Sequence, residues 1–189
     1  GLINLKGIAS HVGSQIFNKE LIFENLNLLI EIANNLIRQG HALSYIDLGG
    51  GLGISYQEEK ELKPRAVLEE VISKLEPLNL NLLLEPGRSI SGNTGVLLSK
   101  VEYLKKTSDL NFAVIDSGMN DLLRPSLYQA WHNISVVETN NQKELSYEVV
   151  GPVCESGDTF GEDRMLSLDK DSILAIHDAG AYGHVMSSN

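Results

Sequence analysis

Apolar residues recur along the chain with two different periods, and the period changes near residue 91. Before that point, short apolar runs alternate with stretches in which apolar residues return every three or four positions, which is the spacing of one helix face. Asn18 is a suitable N-cap for the first helix and Gly40 a suitable end, whereas Pro64 begins the second helix and Pro77 ends it. The face of the second helix is predicted to comprise Val67, Leu68, Val71, Ile72 and Leu75.

The apolar runs between these helices predict strands at residues 6–12, 43–48 and 80–85. Strands that alternate with helices form a parallel sheet covered on both faces. After residue 91 the helical spacing fades, and short β-rich runs predict strands at 96–104, 112–116, 134–138, 147–150 and 173–177. The sequence therefore predicts an α/β domain over residues 1–91 and an antiparallel β domain over residues 92–189.

Composition and charge narrow the classes of partner. The 189 residues are 42% hydrophobic and 21% charged, which is ordinary for a globular protein, and the net charge of -10 argues against nucleic acid or an anionic membrane as a partner. Cys154 is the only cysteine, so we expect no internal disulfide, no cysteine-rich zinc site or other metal site, and a reducing, cytoplasmic compartment. No apolar run is long enough to predict a membrane span. A small-molecule partner is expected.

A polar or glycine-rich cluster follows each of the three predicted strands of the α/β domain. These clusters are H-V-G-S-Q at 11–15, G-G-G-L-G at 49–53 and E-P-G-R at 85–88, and parallel α/β folds place their sites beyond the carboxyl ends of strands. The glycines could hold a phosphate through backbone amides or form an ordinary tight turn. The dinucleotide fingerprint G-x-G-x-x-G is not matched, because Ile54 and Tyr56 occupy the two possible positions of its last glycine.

Three more motifs complete a recognisable set: D-S-G-M-N-D-L-L-R-P-S-L-Y at 116–128, G-P-V-C-E-S-G-D at 151–158 and A-G-A-Y at 179–182. In this order the six motifs resemble the diaminopimelate decarboxylases, a family of fold-type III pyridoxal-phosphate-dependent decarboxylases. The resemblance implies the C-terminal part of a TIM-like β/α barrel that binds pyridoxal 5'-phosphate, followed by an antiparallel β domain. Serine at 117, where the family commonly has alanine, is a minor departure.

The resemblance also implies which residues hold the cofactor. Ser14, Gly51 and the turn at 85–88 would hold its phosphate or lie near it, and Glu85 would face the pyridine nitrogen and keep the ring protonated. His11 would stack on the ring, and Tyr182 would contact the cofactor from the β domain. The cofactor-binding set is Ser14, Gly51, Glu85, Pro86, Gly87, Arg88 and Tyr182.

The charges of the same motifs indicate a substrate that carries a distal carboxylate beside a distal amine. Arg88 and Arg124 can hold a carboxylate bidentately, Tyr128 adds a hydroxyl, and Glu155 offers a counter-charge for an ammonium. Tyr182 completes the implied substrate-binding set. The implied reaction is the decarboxylation of meso-2,6-diaminopimelate to L-lysine and CO2, the last step of lysine biosynthesis. Decarboxylases of carboxynorspermidine, ornithine or arginine are the alternatives within this class.

Cys154 and His11 are the expected catalytic residues. Cys154 follows Gly151 and Pro152 and precedes Glu155, so it is predicted to lie in a polar loop, although a lone cysteine is more often a small buried hydrophobe. In the family this loop supplies the proton donor to the active site of a neighbouring subunit. A homodimer with shared sites is therefore expected.

One departure from the family concerns lysine. The Schiff-base lysine of the family lies upstream of all six motifs, and none of the ten lysines here has a comparable context, Lys6 being the nearest candidate. The chain is accordingly expected to be the central and C-terminal portion of an enzyme and inactive alone; the alternative is a non-catalytic module that binds pyridoxal phosphate or phosphate. His41, His132, His177, His184 and Trp131 are predicted to have structural roles.

Overall fold

The computed structural model describes residues 3–189 and divides into two compact units. Unit 1 contains the described residues up to Ser55 together with Glu59–Ser89, and unit 2 contains Tyr56–Glu58 and Ile90–Asn189. The short segment Tyr56–Glu58 thus packs with unit 2 although unit 1 precedes and follows it in the chain.

Unit 1 is a three-stranded parallel sheet with two long helices. The strands are β1 (Gly7–Ala9), β2 (Tyr45–Asp47) and β3 (Asn81–Leu83), in the order β1-β2-β3, and the long helices are α1 (Lys19–Arg38) and α2 (Pro64–Leu75). Ile8 pairs with Ile46, and Ile46 pairs with Leu82. The parallel strand and helix order predicted from the sequence is confirmed, although each strand is shorter than its apolar run.

Helix α1 begins and ends where the sequence predicts. The Asn18 side chain accepts a hydrogen bond from the Glu20 amide at 3.0 Å, which satisfies one of the helix's first free N–H groups. Gly40 follows the last turn with φ +92°, a conformation that glycine adopts at little cost. Leu26, Leu29 and Ala33 of α1 are buried in the core of unit 1.

Helix α2 buries a narrower face than the sequence predicts. Pro64 is its first residue, as expected, and Val67, Val71 and Leu75 are buried. Ile72, which was predicted to belong to this face, is 54% exposed. Buried residues of α2 recur at every fourth position, so Ile72 points to the side of that row.

The sheet of unit 1 has two open edges within the described residues. There β1 and β3 each pair with β2 alone, and Leu83 and Leu84 are exposed at the end of β3. Unpaired strand edges and exposed leucines favour pairing with another chain.

We therefore expect the isolated 189-residue chain to associate in solution. Light scattering should give a mass above the 20.7 kDa of one chain, and the apparent mass should rise with protein concentration. A compact monomer that remains monodisperse over a hundredfold concentration range (about 1 to 100 μM, where exposed edges aggregate) would contradict this expectation.

Unit 2 is built around one six-stranded sheet with the order β6-β9-β4-β5-β7-β8. Its strands are β4 (Leu97–Lys106), β5 (Asn111–Ile115), β6 (Ile134–Val136), β7 (Leu145–Val150), β8 (Thr159–Leu166) and β9 (Ile173–Ile176), and its short helix is α4 (Arg124–Tyr128). Another short helix, α3 (Arg88–Ser91), begins in unit 1 and ends in unit 2. The buried core includes Val101, Ile115, Tyr147, Val149, Phe160, Leu174 and Ile176.

The sheet of unit 2 corrects the expected antiparallel domain in two respects. Strands β5 and β7 pair in parallel, with Ala113 opposite Val149, whereas the other pairs in the sheet are antiparallel. Strand β8 was not predicted, because its polar stretch and a register shift against β7 interrupt the alternation that marks a strand.

Candidate active site

The glycine cluster after β2 packs tightly against the loops that follow β1 and β3. A Cβ atom at Gly51 would collide with the carbonyl oxygen of Gly13, and one at Gly50 would collide with that of Glu85. Gly49 and Gly51 also have φ values of +72° and +100°. The glycines are therefore required for backbone packing between three loops at the carboxyl edge of the sheet, whether or not their amides also face an anion.

His11 and Glu85 are each tied to this glycine loop. Nδ1 of His11 accepts a hydrogen bond from the Gly50 amide at 3.2 Å, so a neutral imidazole carries its proton on Nε2. The Glu85 amide donates to the carbonyl oxygen of Gly49 at 2.9 Å. Both side chains are exposed, and their backbones are fixed by contacts that the glycines permit.

Arg88 and Ser14 complete the polar groups of unit 1. Nη2 of Arg88 donates to Oγ of Ser14 at 3.4 Å, which links the loop after β1 with the start of α3. Pro86 and Gly87 are exposed in the turn before Arg88. The structure thus brings together, at one end of the sheet, His11, Ser14, Gly51, Glu85, Pro86, Gly87 and Arg88.

Among the candidate substrate-binding residues of unit 2, Arg124 is the most buried. It begins α4, is 5% exposed, lies with Nη1 2.7 Å from Nε2 of His132, and has its guanidinium carbon 4.5 Å from the ring centroid of Tyr56. Tyr128, at the other end of α4, is 61% exposed. The helix therefore presents one fixed cation and one accessible phenol.

Asp158 organises the loop that carries Cys154 and Glu155. Its two carboxylate oxygens accept hydrogen bonds from the amides of Met119 (2.6 Å) and Val153 (2.7 Å), and the side chain is 3% exposed. Cys154 is free and exposed, and Glu155 is exposed beside it. The cysteine is therefore not a small buried hydrophobe.

The loop of Cys154 is also joined to α4. Oγ of Ser126 donates to the carbonyl oxygen of Gly157 at 2.6 Å. A hydroxyl of the arginine helix thus contacts the backbone of the cysteine loop, and both segments belong to unit 2.

Tyr182 lies in a turn that close glycine contacts hold in place. A Cβ at Gly180 would collide with the carbonyl oxygen of Ser91, and the amide of Ala179 donates to the carbonyl oxygen of Gly95 at 2.9 Å. Tyr182 has φ +57°, an uncommon conformation for a residue with a side chain, and it is 42% exposed.

Asp116, the first residue of the motif at 116–128, anchors the start of that segment. Its carboxylate accepts hydrogen bonds from Oγ of Ser99 (2.6 Å) and from the amide of Lys100 (2.8 Å). The Ser99 hydrogen bond lowers the pKa of Asp116, and the amide of Lys100 adds to this. Because the folded-state pKa is depressed, this contribution to stability is present above the unfolded-state pKa and disappears as the pH falls through the folded-state value.

His132 and Trp131, which were both predicted to have structural roles, lie in different surroundings. His132 is fully buried and contacts Arg124, whereas Trp131 packs against Arg164, whose guanidinium carbon lies 4.6 Å from the indole ring. Burial lowers the pKa of Arg164. The contact of Tyr56 with Arg124 has no counterpart in sequence spacing, since 68 positions separate the two residues.

Membrane-spanning helices and metal-binding clusters are absent from residues 3–189. Over residues 3–189, none of the helices has the length and apolarity needed to span a bilayer. Within that same range, His, Cys, Asp and Glu side chains form no group of three or more suited to a metal ion.

The sequence matches a known protein family. The family described as pyridoxal-dependent decarboxylase, C-terminal sheet domain, matches residues 11–180, and the chain belongs to this family. Diaminopimelate decarboxylase of Pseudomonas fluorescens is 43% identical over 187 residues, which are 99% of this chain and 45% of the relative. The enzyme of that name from Helicobacter pylori is 43% identical over 180 residues, 94% of this chain and 44% of the relative.

Solved structures agree with these relatives. The crystal structure of diaminopimelate decarboxylase from Helicobacter pylori complexed with L-lysine has a TM-score of 0.92 at 41% identity and covers 97% of this chain and 46% of that one. The arginine decarboxylase of Paramecium bursaria Chlorella virus shares the fold alone, with a TM-score of 0.87 at 20% identity. The chain spans slightly less than half the length of the curated relatives named above.

Proposed function

We propose that the protein containing this chain decarboxylates meso-2,6-diaminopimelate to L-lysine and CO2. The proposal rests on Arg124, whose buried guanidinium is fixed at the start of α4. The accessible Tyr128 lies at the other end of the same helix. A fixed cation suits a carboxylate that is bound but does not react. Relatives named diaminopimelate decarboxylase, 43% identical over almost the whole chain, support the choice of substrate.

Unit 1 would hold the phosphate of pyridoxal 5'-phosphate. The Ser14 hydroxyl and the Arg88 guanidinium offer a hydroxyl and a cationic donor at one end of the sheet, which suits a phosphate. When bound, the cofactor supplies an electron sink for the electron pair that the departing CO2 leaves behind. The Glu85 carboxylate would hold a proton on the pyridine nitrogen, and the exposed imidazole of His11, with Nδ1 fixed by Gly50, would lie against the ring.

Unit 2 would supply the groups that recognise the substrate and move the proton. Arg124 would bind the distal carboxylate, with Tyr128 and Tyr182 as hydroxyl donors, and Glu155 would face the distal ammonium. The Cys154 thiol would donate a proton to the carbon from which CO2 leaves, since it is free and exposed and a positioned S–H group can act as a general acid.

The intact protein is proposed to contain a β/α barrel and to form a homodimer. We assign the three parallel strands and two helices of unit 1 to a β/α barrel, because the site residues follow the carboxyl ends of the strands. The intact protein would be a homodimer in which the loop of Cys154 serves the active site of the partner subunit. The accessible thiol supports this assignment, because it is available to another chain.

The proposed substrate is tested by turnover of the full-length, cofactor-loaded enzyme. We expect kcat/KM for meso-diaminopimelate to exceed that for ornithine, arginine and carboxynorspermidine by at least about a hundredfold, because a buried cation left without its carboxylate costs about 3–5 kcal/mol. A preference for ornithine or arginine, which lack the distal carboxylate, would overturn the assignment. The Arg124→Met variant should lose most of the preference, since its side chain has similar length but no charge.

A further inference from the structure

His132 holds one edge of the Arg124 guanidinium. Nη1 of Arg124 lies 2.7 Å from Nε2 of His132, and Nδ1 of His132 lies 2.7 Å from the carbonyl oxygen of His177. A guanidinium can only donate and a carbonyl can only accept. Nε2 therefore accepts from Arg124, Nδ1 carries the ring proton, and the imidazole is neutral.

Tyr56 holds the face of the same guanidinium. Its ring centroid lies 4.5 Å from Cζ of Arg124 and 5.2 Å from the His132 ring centroid, in an edge-to-face arrangement at 75°. All three side chains are buried. The imidazole restrains rotation within the guanidinium plane, and the phenol ring restrains tilting of that plane, so the two contacts together select one orientation.

We propose that His132 and Tyr56 are positioning residues that orient Arg124 for the distal carboxylate of the substrate. The inference rests on the proposed function, in which Arg124 binds that carboxylate. A neutral imidazole is suited to this role, because it accepts a hydrogen bond from Arg124 without neutralising the positive charge. A guanidinium that is already oriented loses less conformational entropy on binding, which favours bidentate recognition.

The test compares two ligands that differ in the carboxylate. L-lysine, the proposed product, retains the distal carboxylate, whereas 1,5-diaminopentane lacks it. In the full-length, cofactor-loaded enzyme, His132→Met should weaken L-lysine binding by about 10- to 100-fold, the value of a hydrogen bond to a charged group. Binding of 1,5-diaminopentane, measured by calorimetry, should change by no more than about twofold, within the scatter of a neutral substitution.

Two further variants separate positioning from general stability. His132→Gln keeps an acceptor near the place of Nε2 and should restore L-lysine affinity to within about fivefold of the parent enzyme, because the hydrogen bond to Arg124 is retained. Tyr56→Leu should weaken L-lysine binding by about 3- to 30-fold, the value of a buried cation–π contact. The matched control is His41→Met, an identical exchange at an exposed histidine of unit 1, which should bind both ligands as the parent does.

The positioning role would be overturned if His132→Met weakened the binding of both ligands equally. It would also be overturned if His132→Gln bound L-lysine as weakly as His132→Met does. If His132→Met does not fold, Tyr56→Leu and His132→Gln decide the question with the same two ligands. Crystal structures of unliganded variants provide a readout that needs no substrate: the Arg124 guanidinium should move in Tyr56→Leu and stay in place in His132→Gln. If the parent enzyme binds neither ligand, the proposed function fails, and the guanidinium position still decides the positioning claim.

Discussion

Cys154→Ala in the full-length enzyme should lower kcat by about 10²- to 10⁴-fold while leaving KM for diaminopimelate within about threefold, because general acid catalysis contributes on that scale to the rate and little to binding. The thiol is exposed, and its loop is anchored through Asp158 rather than through the cysteine. Removing one sulfur atom should therefore leave the fold intact. Steady-state kinetics and a thermal unfolding curve of the variant measure both effects.

The shared-site proposal is tested by mixing two inactive variants. Cys154→Ala removes the proposed proton donor, and His11→Ala removes the imidazole that is proposed to lie against the cofactor ring. If the loop of Cys154 serves the partner subunit, half of the randomly exchanged dimers are mixed, and each carries one intact site of two. Activity should recover to about a quarter of the parent value, as two-fold symmetry requires. Absence of recovery, with subunit exchange verified by mass spectrometry, would place Cys154 and His11 in the site of a single chain.

The helices of unit 1 were predictable because local physical chemistry determines them. Asn18 caps α1 with its own side chain, Gly40 adopts a positive φ after it, and Pro64 starts α2. None of these signals depends on residues far away in the sequence. Strand boundaries were less accurate, since an apolar run continues past the last residue that pairs with a neighbour, as at 80–85 compared with Asn81–Leu83.

The sheet of unit 2 was less predictable because its pairing is non-local. The parallel pairing of β5 with β7 joins segments that β6 separates in sequence. In β8, Asp163 has φ +51° and the register against β7 shifts between Tyr147 and Val149. A strand that is interrupted by a positive φ at Asp163 and by a register shift has no regular alternating pattern by which to recognise it.

The surroundings of the site residues could be predicted only in part. The motifs indicated which residues to examine, and the polar loop of Cys154 was predicted from Gly151, Pro152 and the acidic residues that follow. The burial of Arg124 between His132 and Tyr56 was not predicted, because the three residues come from separate segments that meet only in the folded unit. Side-chain contacts of this kind depend on tertiary packing, which spacing along the chain does not encode.

Asp158→Asn should be among the most destabilising of the isosteric substitutions in unit 2. The carboxylate accepts from the amides of Met119 and Val153 with separate oxygens, and asparagine must place an NH2 group against one of those N–H groups. One charge-assisted hydrogen bond is lost and two donors then face each other in a buried site, at a cost of about 2–4 kcal/mol. The shape of the side chain is unchanged, so packing does not contribute.

Asp158→Asn should loosen the hydrogen bonds around residue 158 before it unfolds unit 2 as a whole. Hydrogen exchange at the amides of Met119 and Val153 should accelerate by about 10²-fold or more, the value of about 3 kcal/mol of lost local protection, and the Cys154 thiol should react faster with a disulfide reagent because its loop opens. Asp163→Asn is the matched control, since Asp163 lies on β8, which begins directly after Asp158, but is exposed, and it should change stability by less than about 0.5 kcal/mol. Unchanged exchange at both amides in Asp158→Asn would show that the loop of Cys154 is held by other contacts, and the carboxylate would then have no organising role in the site.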